Sequence, residues 1–396
     1  MKIEQRPDKL DVTAIVNKIK AVLPQDRQNI GLHEPYFGGQ EWQYVKECLD
    51  TGWVSSVGKF VDLFEEKLAE FTGVKKAIAM SNGTSALHIC LQLVGVQQND
   101  EVLVPALTFI ATANAVVYCG AVPHFVDSEL KTLGIDAGKL KEYLAGITEV
   151  RNNECYNKYT GRRIKAVVPM HTFGHPVDLE AIAAVCREYN IELIEDAAES
   201  LGSYYNGKHT GNWGRVAAVS FNGNKVVTTG GGGAVLTNDE ELGRLAKHLT
   251  TQAKVPHKWE FQHDMVGYNY RMPNINAALG CAQLEQLPEF LQKKRQLTRR
   301  YQEVFDQING VDLFIEPKFA TSNYWLQAIL LAPEYAWQRD ELLAASHEQH
   351  ILMRPVWNLM YTLPMYQTCP KMDCSVAEDI SRRLINLPSS VNLSGY

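Results

Sequence analysis

Short apolar runs alternate with helix-like stretches over the first two thirds of this chain. The runs cover residues 74–81, 101–107, 121–127, 164–173, 191–196, 216–221 and 233–238. Helical patterns lie between some of them, at residues 85–93, 112–119 and 178–189. Such alternation predicts an α/β domain with a mostly parallel sheet, in which ligands bind beyond the carboxyl ends of the strands.

The character of the sequence changes near residue 275. Residues 275–305 form a long amphipathic helical pattern, interrupted by Pro288, and shorter mixed α and β segments follow it. Residues 1–30 are polar and helix-prone. We therefore predict an N-terminal accessory arm (1–30), a large domain (31–270) and a small C-terminal domain (271–396).

Composition excludes several classes of protein. The chain has 396 residues, a net charge of −6 and no strongly basic stretch, which argues against general nucleic-acid binding. Its first residues carry acids and lack the apolar segment of a signal peptide, and no apolar run is long enough to span a membrane. The eight cysteines are scattered without a C-x-x-C pair, as in proteins with free thiols in a reducing compartment. We expect a cytoplasmic protein.

Lys225 is unusually placed for a lysine. It follows the apolar run 216–221 and precedes the four glycines 230–233, whereas an ordinary lysine is a solvated surface charge. Burial disfavours the ammonium form of a lysine, and the neutral amine is the form that attacks an aldehyde to give a Schiff base.

Asp196 ends another apolar run, residues 191–196, about thirty positions earlier. An imine-forming lysine together with an aspartate at a pyridine nitrogen is the pairing that pyridoxal 5'-phosphate (PLP) requires. Taken alone, Asp196 is also a candidate helix N-cap, because Ala197 and Ala198 follow it. Paired with Lys225, it is predicted to hold the cofactor.

Other residues fit the remaining demands of PLP. Small and hydroxyl residues at a predicted strand-to-helix junction could bind a phosphate at the positive helix end. Phe109 could stack on the ring, although core packing explains it equally well, and Glu199 could hydrogen-bond the phenol oxygen of the cofactor. The candidate phosphate ligands are Gly83, Thr84, Ser85 and Ser220.

Neither a metal nor a nucleotide-loop motif is indicated. His171 and His175 flank a predicted turn, and His347 and His350 are one residue short of the H-E-x-x-H spacing. The glycines at 230–233 match neither common nucleotide-binding fingerprint, so we interpret them as a tight backbone passage beside Lys225.

Several blocks together resemble the PLP-dependent nucleotide-sugar aminotransferases of the DegT/DnrJ/StrS family. The blocks are residues 35–39, 81–87, 171–178, 194–199, 220–225 and 267–272. The resemblance implies an aspartate aminotransferase-like PLP fold of type I, with a large α/β/α domain, a mixed and mostly parallel sheet, and a smaller C-terminal α/β domain. It also implies a homodimer whose sites are shared between subunits.

The resemblance further implies roles for individual residues. Lys225 would form the imine, Asp196 would pair with the ring nitrogen and Phe109 would stack on the ring. Asn269 would reach the phosphate of the cofactor in the other subunit. Gly83, Thr84, Ser85 and Ser220 would line the phosphate. The expected substrates are L-glutamate and a nucleotide-linked keto-sugar.

A narrower likeness concerns residues 54–61, 221–229 and 354–357. These are similar to a subgroup that aminates the 4-keto carbon of a UDP-linked 6-deoxy-N-acetylhexosamine in bacillosamine and legionaminic acid pathways. Glu199 stands where many relatives of the family carry Gln or His. The substrate contacts expected on this basis are Asn323, Trp325, Arg354 and Trp357. Arg354 could bind a pyrophosphate or form a structural ion pair.

Three other functions remain open from the sequence. A sugar dehydratase of similar sequence would have histidine in place of Lys225. A non-catalytic regulator could share the fold but would not need a complete set of cofactor residues. A Rossmann dehydrogenase would need a glycine fingerprint that this chain lacks.

Overall fold

The computed structural model describes residues 9–394. The α-helices are α1 (Val12–Val22), α2 (Glu41–Thr51), α3 (Lys59–Thr72), α4 (Gly83–Leu93), α5 (Ile110–Tyr118), α6 (Ala137–Ile147), α7 (Leu179–Tyr189), α8 (Glu240–Thr250), α9 (Asn274–Phe305), α10 (Arg339–Glu348) and α11 (Ser375–Arg383). The strands are β1 (Lys76–Met80), β2 (Glu101–Pro105), β3 (Val122–Val126), β4 (Thr148–Arg151), β5 (Glu154–Asn157), β6 (Ile164–Val167), β7 (Glu192–Asp196), β8 (Tyr204–Tyr205), β9 (Lys208–His209), β10 (Val216–Ser220), β11 (Gly233–Thr237), β12 (Lys254–Val255), β13 (Gln262–His263), β14 (Val311–Leu313), β15 (Ala320–Thr321), β16 (Gln327–Leu331), β17 (Arg354–Pro355) and β18 (Leu384–Leu387).

A seven-stranded sheet forms the centre of the large domain. Its strand order is β1-β11-β10-β7-β6-β2-β3, and β11 runs in the opposite direction to the other six strands. Each of the seven predicted apolar runs contains one strand of this sheet, and every one of these strands begins within two residues of the first residue of its run. The mixed, mostly parallel α/β fold expected from the sequence is therefore confirmed.

The carboxyl ends of β1, β2, β7 and β10 meet at one edge of the sheet. Asp196 and Ser220 are the last residues of β7 and β10, and Gly83 begins α4 just after β1. Asn82 caps α4, because its side-chain oxygen accepts a hydrogen bond from the backbone N–H of Ser85 at 2.8 Å. The topology thus brings candidate residues that are distant in sequence to one edge.

A four-stranded antiparallel sheet, in the order β14-β16-β18-β17, organises the small domain. Helix α1 packs there rather than lying apart: Ile15, Val16 and Ile19 belong to the same buried cluster as Ile329 and Ile385. The prediction of an accessory arm differs from the structure at this point. An amphipathic helix with one apolar stripe must bury that stripe, and the small domain provides the surface.

Helix α9 joins the two buried cores. Leu287, in its first half, packs in the core of the large domain, and Leu297, in its second half, packs in that of the small domain. The helix continues through Pro288 instead of stopping there. Proline removes one backbone hydrogen bond, and burial on both sides of it holds the helix together.

The described residues contain neither a membrane-spanning helix nor a metal-binding cluster. No helix within residues 9–394 is long and apolar enough to cross a bilayer. In the same part of the chain, no group of three or more His, Cys, Asp or Glu side chains is arranged to hold a metal ion.

Candidate active site

A cavity of about 850 Å³ opens at the carboxyl edge of the central sheet, between the two domains. Strand ends of the large domain line one side, and β17 with residues near Trp325 lines the other. The structure brings ten of the predicted site residues to this cavity: Gly83, Thr84, Phe109, Asp196, Glu199, Ser220, Lys225, Trp325, Arg354 and Trp357.

Lys225 lies in the turn after β10 rather than in the strand, which ends at Ser220. Its side chain is 13% exposed, and its Nζ lies 3.2 Å from a carboxylate oxygen of Glu199. The same Nζ lies 3.8 Å from the ring centroid of Trp325. The Trp325 indole N–H donates to the Asn224 carbonyl at 2.7 Å, so the ring and the turn that carries the lysine are held together. The amine is therefore fixed by an anion and an aromatic face at the cavity wall.

Asp196 is buried at the end of β7 and turned towards the cavity. Its carboxylate accepts hydrogen bonds from the Thr112 hydroxyl at 2.7 Å and from the Ala198 N–H at 3.2 Å. Burial raises the pKa of this carboxyl, opposed by those two hydrogen bonds and by the charge of Lys225. No α-helix begins directly after Asp196, because residues 197–200 form a turn, so the N-cap interpretation is wrong.

Glu199 is the second buried carboxylate of the cavity. It bonds to Lys225 with one oxygen and accepts the backbone N–H of Phe173 with the other, at 2.9 Å. Burial raises the pKa of Glu199, whereas the positive charge of Lys225 lowers it. The ionised state of Glu199 therefore depends on the nearby amine.

The beginning of α4 packs tightly against two strand ends. A Cβ atom on Gly83 would lie 2.8 Å from the Cβ of Ser220, and one on Gly233 would lie 2.5 Å from the carbonyl carbon of Asn82. Glycine is therefore required at both places. The close passage lies at Gly233 against the start of α4 rather than beside Lys225, and a Cβ atom on Gly231 would meet nothing within 4 Å. This close approach holds the positive end of α4 at the cavity, where an anion can bind.

Aromatic side chains form another part of the wall. Phe109 precedes α5 and is 50% exposed, with its ring centroid 6.2 Å from that of Trp357. The Trp357 ring packs in turn on Phe173, at 5.0 Å. Core packing does not account for Phe109, because a core ring would not be half exposed beside a cavity.

Arg354 lines the cavity from β17 and is exposed. Among residues 9–394 no carboxylate forms an ion pair with it, although most other arginines of the chain are paired. The structural ion pair considered for this residue is therefore absent from the described part of the chain.

Three predicted site residues do not line the cavity. The Ser85 hydroxyl donates to the Asn82 carbonyl at 2.8 Å, which ties it to the helix cap. The Asn323 side chain is buried, donates to the carbonyls of Glu199 and Leu201 and accepts the Trp325 N–H. The expectation that Asn323 contacts the substrate is not met, because its amide is committed to the backbone. Asn269 is exposed away from this cavity and accepts from the Arg271 guanidinium.

Two residues of the site were missed from the sequence. Thr112 holds the Asp196 carboxylate, and His33 lines the cavity with its ring centroid 6.4 Å from that of Trp325. Thr112 lies one turn into the helix that Phe109 precedes, so a buried hydroxyl in that turn was the available signal. His33 gave no signal, because its neighbours in space come from distant parts of the chain.

The residues present fit PLP. An amine, a buried carboxylate and a glycine-spaced helix end converge on one cavity. The buried Asp196 carboxyl, whose pKa is raised by burial, would be held ionised by a protonated ring nitrogen. Phe109 offers an exposed ring face at the same cavity.

Comparison with known proteins gives consistent results. The DegT/DnrJ/EryC1/StrS aminotransferase family matches residues 35–395. The GDP-perosamine synthase of Escherichia coli O157:H7 is 39% identical over 365 residues, which cover 92% of this chain and 94% of that protein.

Solved structures share the fold. The aminotransferase TlmJ from Streptoalloteichus hindustanus is similar with a TM-score of 0.83 and 28% identity, over 93% of this chain and 95% of that chain. The PLP form of Spr1654 from Streptococcus pneumoniae has a TM-score of 0.82 over 93% of this chain and 95% of its own. At 22% identity, this second likeness concerns the fold alone.

Proposed function

Because the chain belongs to the DegT/DnrJ/EryC1/StrS aminotransferase family and is thereby a PLP-dependent sugar aminotransferase, we propose that it aminates a nucleotide-linked 4-keto-6-deoxy sugar. L-Glutamate is the proposed amino donor and 2-oxoglutarate the corresponding product. The reaction would place the amine on C4 of the sugar.

The observation that carries this proposal is the meeting of Lys225 and Asp196 at one cavity beside the start of α4. A histidine in place of the lysine would have favoured a dehydratase, and an incomplete set would have favoured a regulator. When bound, PLP supplies an aldehyde that carries the amino group and a ring that withdraws electrons from the substrate carbon.

Residues of the chain are proposed to hold the cofactor, to transfer the proton and to orient the reacting groups. Lys225 would hold the cofactor through Nζ, and its amine would move a proton to and from the substrate carbon. Asp196 would keep the ring nitrogen of the bound cofactor protonated, and Thr112 orients the Asp196 carboxylate. Glu199 orients the Lys225 amine and is proposed to hydrogen-bond the phenol oxygen of the cofactor.

The sugar nucleotide is proposed to lie against the small domain. Arg354 has no carboxylate partner among the described residues and faces the cavity, so its guanidinium is available for a pyrophosphate. Trp357 and Trp325 offer apolar surface at the same cavity for the sugar. Asn323 would support this wall by holding the backbone of Trp325.

Two nucleotides are supported by different observations. The likeness of residues 54–61, 221–229 and 354–357 to the bacillosamine and legionaminic acid subgroup favours UDP-2-acetamido-2,6-dideoxy-hexos-4-ulose. The relative from E. coli is named for a GDP-linked sugar and matches over nearly the whole chain, which favours GDP. A GDP-linked ketone is therefore the second candidate substrate.

A homodimer with shared sites is part of the proposal. Trp42 and Trp53, in and after α2, expose more than half of their surface, and Phe261 is 78% exposed. Exposed apolar side chains of this size are typical of a surface that another chain covers. Asn269 lies on the same exposed segment as Phe261 and is proposed to reach the partner's cofactor phosphate.

The test is an amination assay with a panel of substrates. The purified protein with PLP and L-glutamate would be mixed separately with UDP-, GDP- and dTDP-linked 4-keto-6-deoxy sugars, and the products identified by mass. We expect one nucleotide series to gain an amine, with 2-oxoglutarate formed in equal amount. If glutamate is converted but no sugar is aminated, the proposed acceptor class is wrong. If glutamate is not converted either, the proposed half-reaction is wrong.

A further inference from the structure

Lys294 is a completely buried lysine in the second half of α9. Its Nζ lies 2.6 Å from the Ser389 carbonyl oxygen, 3.1 Å from the Trp325 carbonyl oxygen and 3.1 Å from Nε2 of His33. These three partners come from three separate segments of the chain. The amine thus joins the three segments by hydrogen bonds to a single atom.

Two of the three segments line the cavity, and the third supports one of them. Trp325 carries the ring under the Lys225 amine and donates its indole N–H to the residue before that lysine. His33 lines the cavity directly. Ser389 supports the segment of His33, because its N–H donates to the Leu32 carbonyl at 2.7 Å.

Burying a lysine at this position lowers the stability of the fold. Burial lowers the pKa of Lys294 to about 7, and it also lowers the pKa of His33, an effect that the nearby amines of Lys294 and Lys225 strengthen. Its helix neighbours Lys293 and Arg295 turn away and pair with Glu289 and Glu316. Among the ionisable groups of residues 9–394, His33 alone is within hydrogen-bond distance of the Lys294 amine. A buried amine without a carboxylate costs stability, so packing alone does not explain it.

The proposed mechanism does not use this amine for chemistry, but the geometry links it to the group that does the chemistry. We propose that Lys294 is a positioning residue that acts through Trp325 and His33 to fix the Lys225 amine and the cavity wall around it. The part played by Lys225 rests on the proposed function, whereas the link from Lys294 to Trp325 does not. Lys294 touches neither the cofactor nor the sugar in this proposal.

The experiment uses the apoprotein, so that it does not depend on turnover. The indole N–H signals of the seven tryptophans would be recorded by NMR, and that of Trp325 assigned with Trp325→Phe. Lys294→Met removes the amine while keeping an unbranched side chain of similar length. We expect the Trp325 indole signal to move and its hydrogen exchange to become at least about tenfold faster, which a loss of about 1.4 kcal/mol in local stability would produce.

Lys293→Met is the matched control, because its amine lies one residue earlier in α9 and pairs with Glu289. It should leave the Trp325 signal and its exchange unchanged. An unchanged Trp325 signal in Lys294→Met would overturn the proposal, and so would an equal change in both variants. With PLP and glutamate, Lys294→Met should lower kcat at least about tenfold with a smaller effect on KM, whereas a purely structural role would lower only the amount of folded protein.

A second measurement covers the case in which Lys294→Met does not fold. In Lys225→Met apoprotein, which lacks the catalytic amine, the Trp325 indole signal should shift with pH with a midpoint near 7, as Lys294 titrates. A signal that stays constant from about pH 6 to about pH 10.5, the ordinary pKa of a lysine, would contradict the link between Lys294 and Trp325. Failure of the sugar assay with success of these measurements would refute the proposed function alone.

Discussion

At the scale of single residues, two neighbouring side chains hold the Lys225 amine in place. A carboxylate oxygen of Glu199 and the ring of Trp325 lie within 4 Å of it, measured for the ring to its centroid. Lys225 and Asp196 could be predicted from the sequence, because Asp196 ends one apolar run that becomes a central strand and Lys225 follows another. The contribution of Trp325 to the Lys225 site could not, because it lies a hundred positions later and its contact depends on how the two domains pack.

Lys225→Ala should abolish turnover while the apoprotein still binds pyridoxamine phosphate. The variant loses the atom that would hold the cofactor covalently and move the proton, a role worth about 10²–10⁴-fold in rate. Turnover would be followed as 2-oxoglutarate formation, and cofactor binding by absorbance after gel filtration. An active alanine variant would remove Lys225 from the mechanism.

Asp196→Asn should lower kcat by about two orders of magnitude or more, the size expected when a positioned charge is removed from a site. The fold should change little, since the amide oxygen can still accept the Ala198 N–H while the amide nitrogen donates to the Thr112 hydroxyl oxygen. Thr112→Val, which keeps the shape but removes the donor, should have a smaller effect in the same direction. Near-normal kcat in Asp196→Asn would show that the carboxylate has no electronic role.

The titration of Lys294 predicts the direction in which the free energy of unfolding changes with pH. Its pKa is about 7 in the folded chain and near 10.5 in the unfolded chain, so between these values the unfolded state binds one more proton. The penalty for burying the amine is therefore complete below pH 7 and disappears as the pH rises towards 10.5. The free energy of unfolding of the wild type, relative to Lys294→Met, should rise between pH 7.5 and 9.5 in urea titrations. A constant difference would mean that this amine stays charged in the folded state.

At the scale of elements, the strands were predictable and the packing of the first helix was not. The strands of the central sheet are short, apolar and bounded by loops, so local pattern alone indicates them. Helix α1 has an equally clear apolar stripe, but the surface that covers it comes from residues after position 296. Sequence pattern shows that a helix has a face to bury and does not show where that face is buried.

Ile19→Ala should test whether α1 belongs to the small domain. Ile19 is completely buried, and its loss should lower the free energy of unfolding by about 2–5 kcal/mol. Thr13→Ala, at an exposed position of the same helix, should change it by less than about 0.5 kcal/mol. The comparison would be made by urea unfolding. Equal small effects of both variants would mean that α1 contributes nothing to the core.

At the scale of the whole molecule, the carboxyl edge of one sheet and the face of a second domain enclose the cavity. Ligands of α/β sheets bind beyond the carboxyl ends of the strands, and this rule predicts the position of the cavity from the sequence. The small domain's contribution was predicted only in part: Arg354 and Trp357 lie on the cavity, but Asn323 does not. The sequence does not show whether the Asn323 side chain faces the cavity or the protein backbone. The turn around residues 322–325 directs it to the backbone carbonyls of Glu199 and Leu201.

The proposed dimer gives a prediction about cofactor retention. Asn269→Ala should leave the folded subunit intact, because the residue is exposed, but should weaken the binding of PLP if it contacts the partner's cofactor phosphate. Sedimentation would give the assembly state, and equilibrium dialysis the affinity for PLP. A fully active monomer would contradict the shared site, and unchanged PLP affinity would contradict the role of Asn269.

Reductive trapping of the cofactor tests the central claim most directly. The protein saturated with PLP would be reduced with borohydride, digested, and the labelled peptide sequenced by mass spectrometry. The account predicts a single phosphopyridoxyl group on Lys225. A label on Lys294 or any other amine, or no label in protein that has retained PLP, would contradict it.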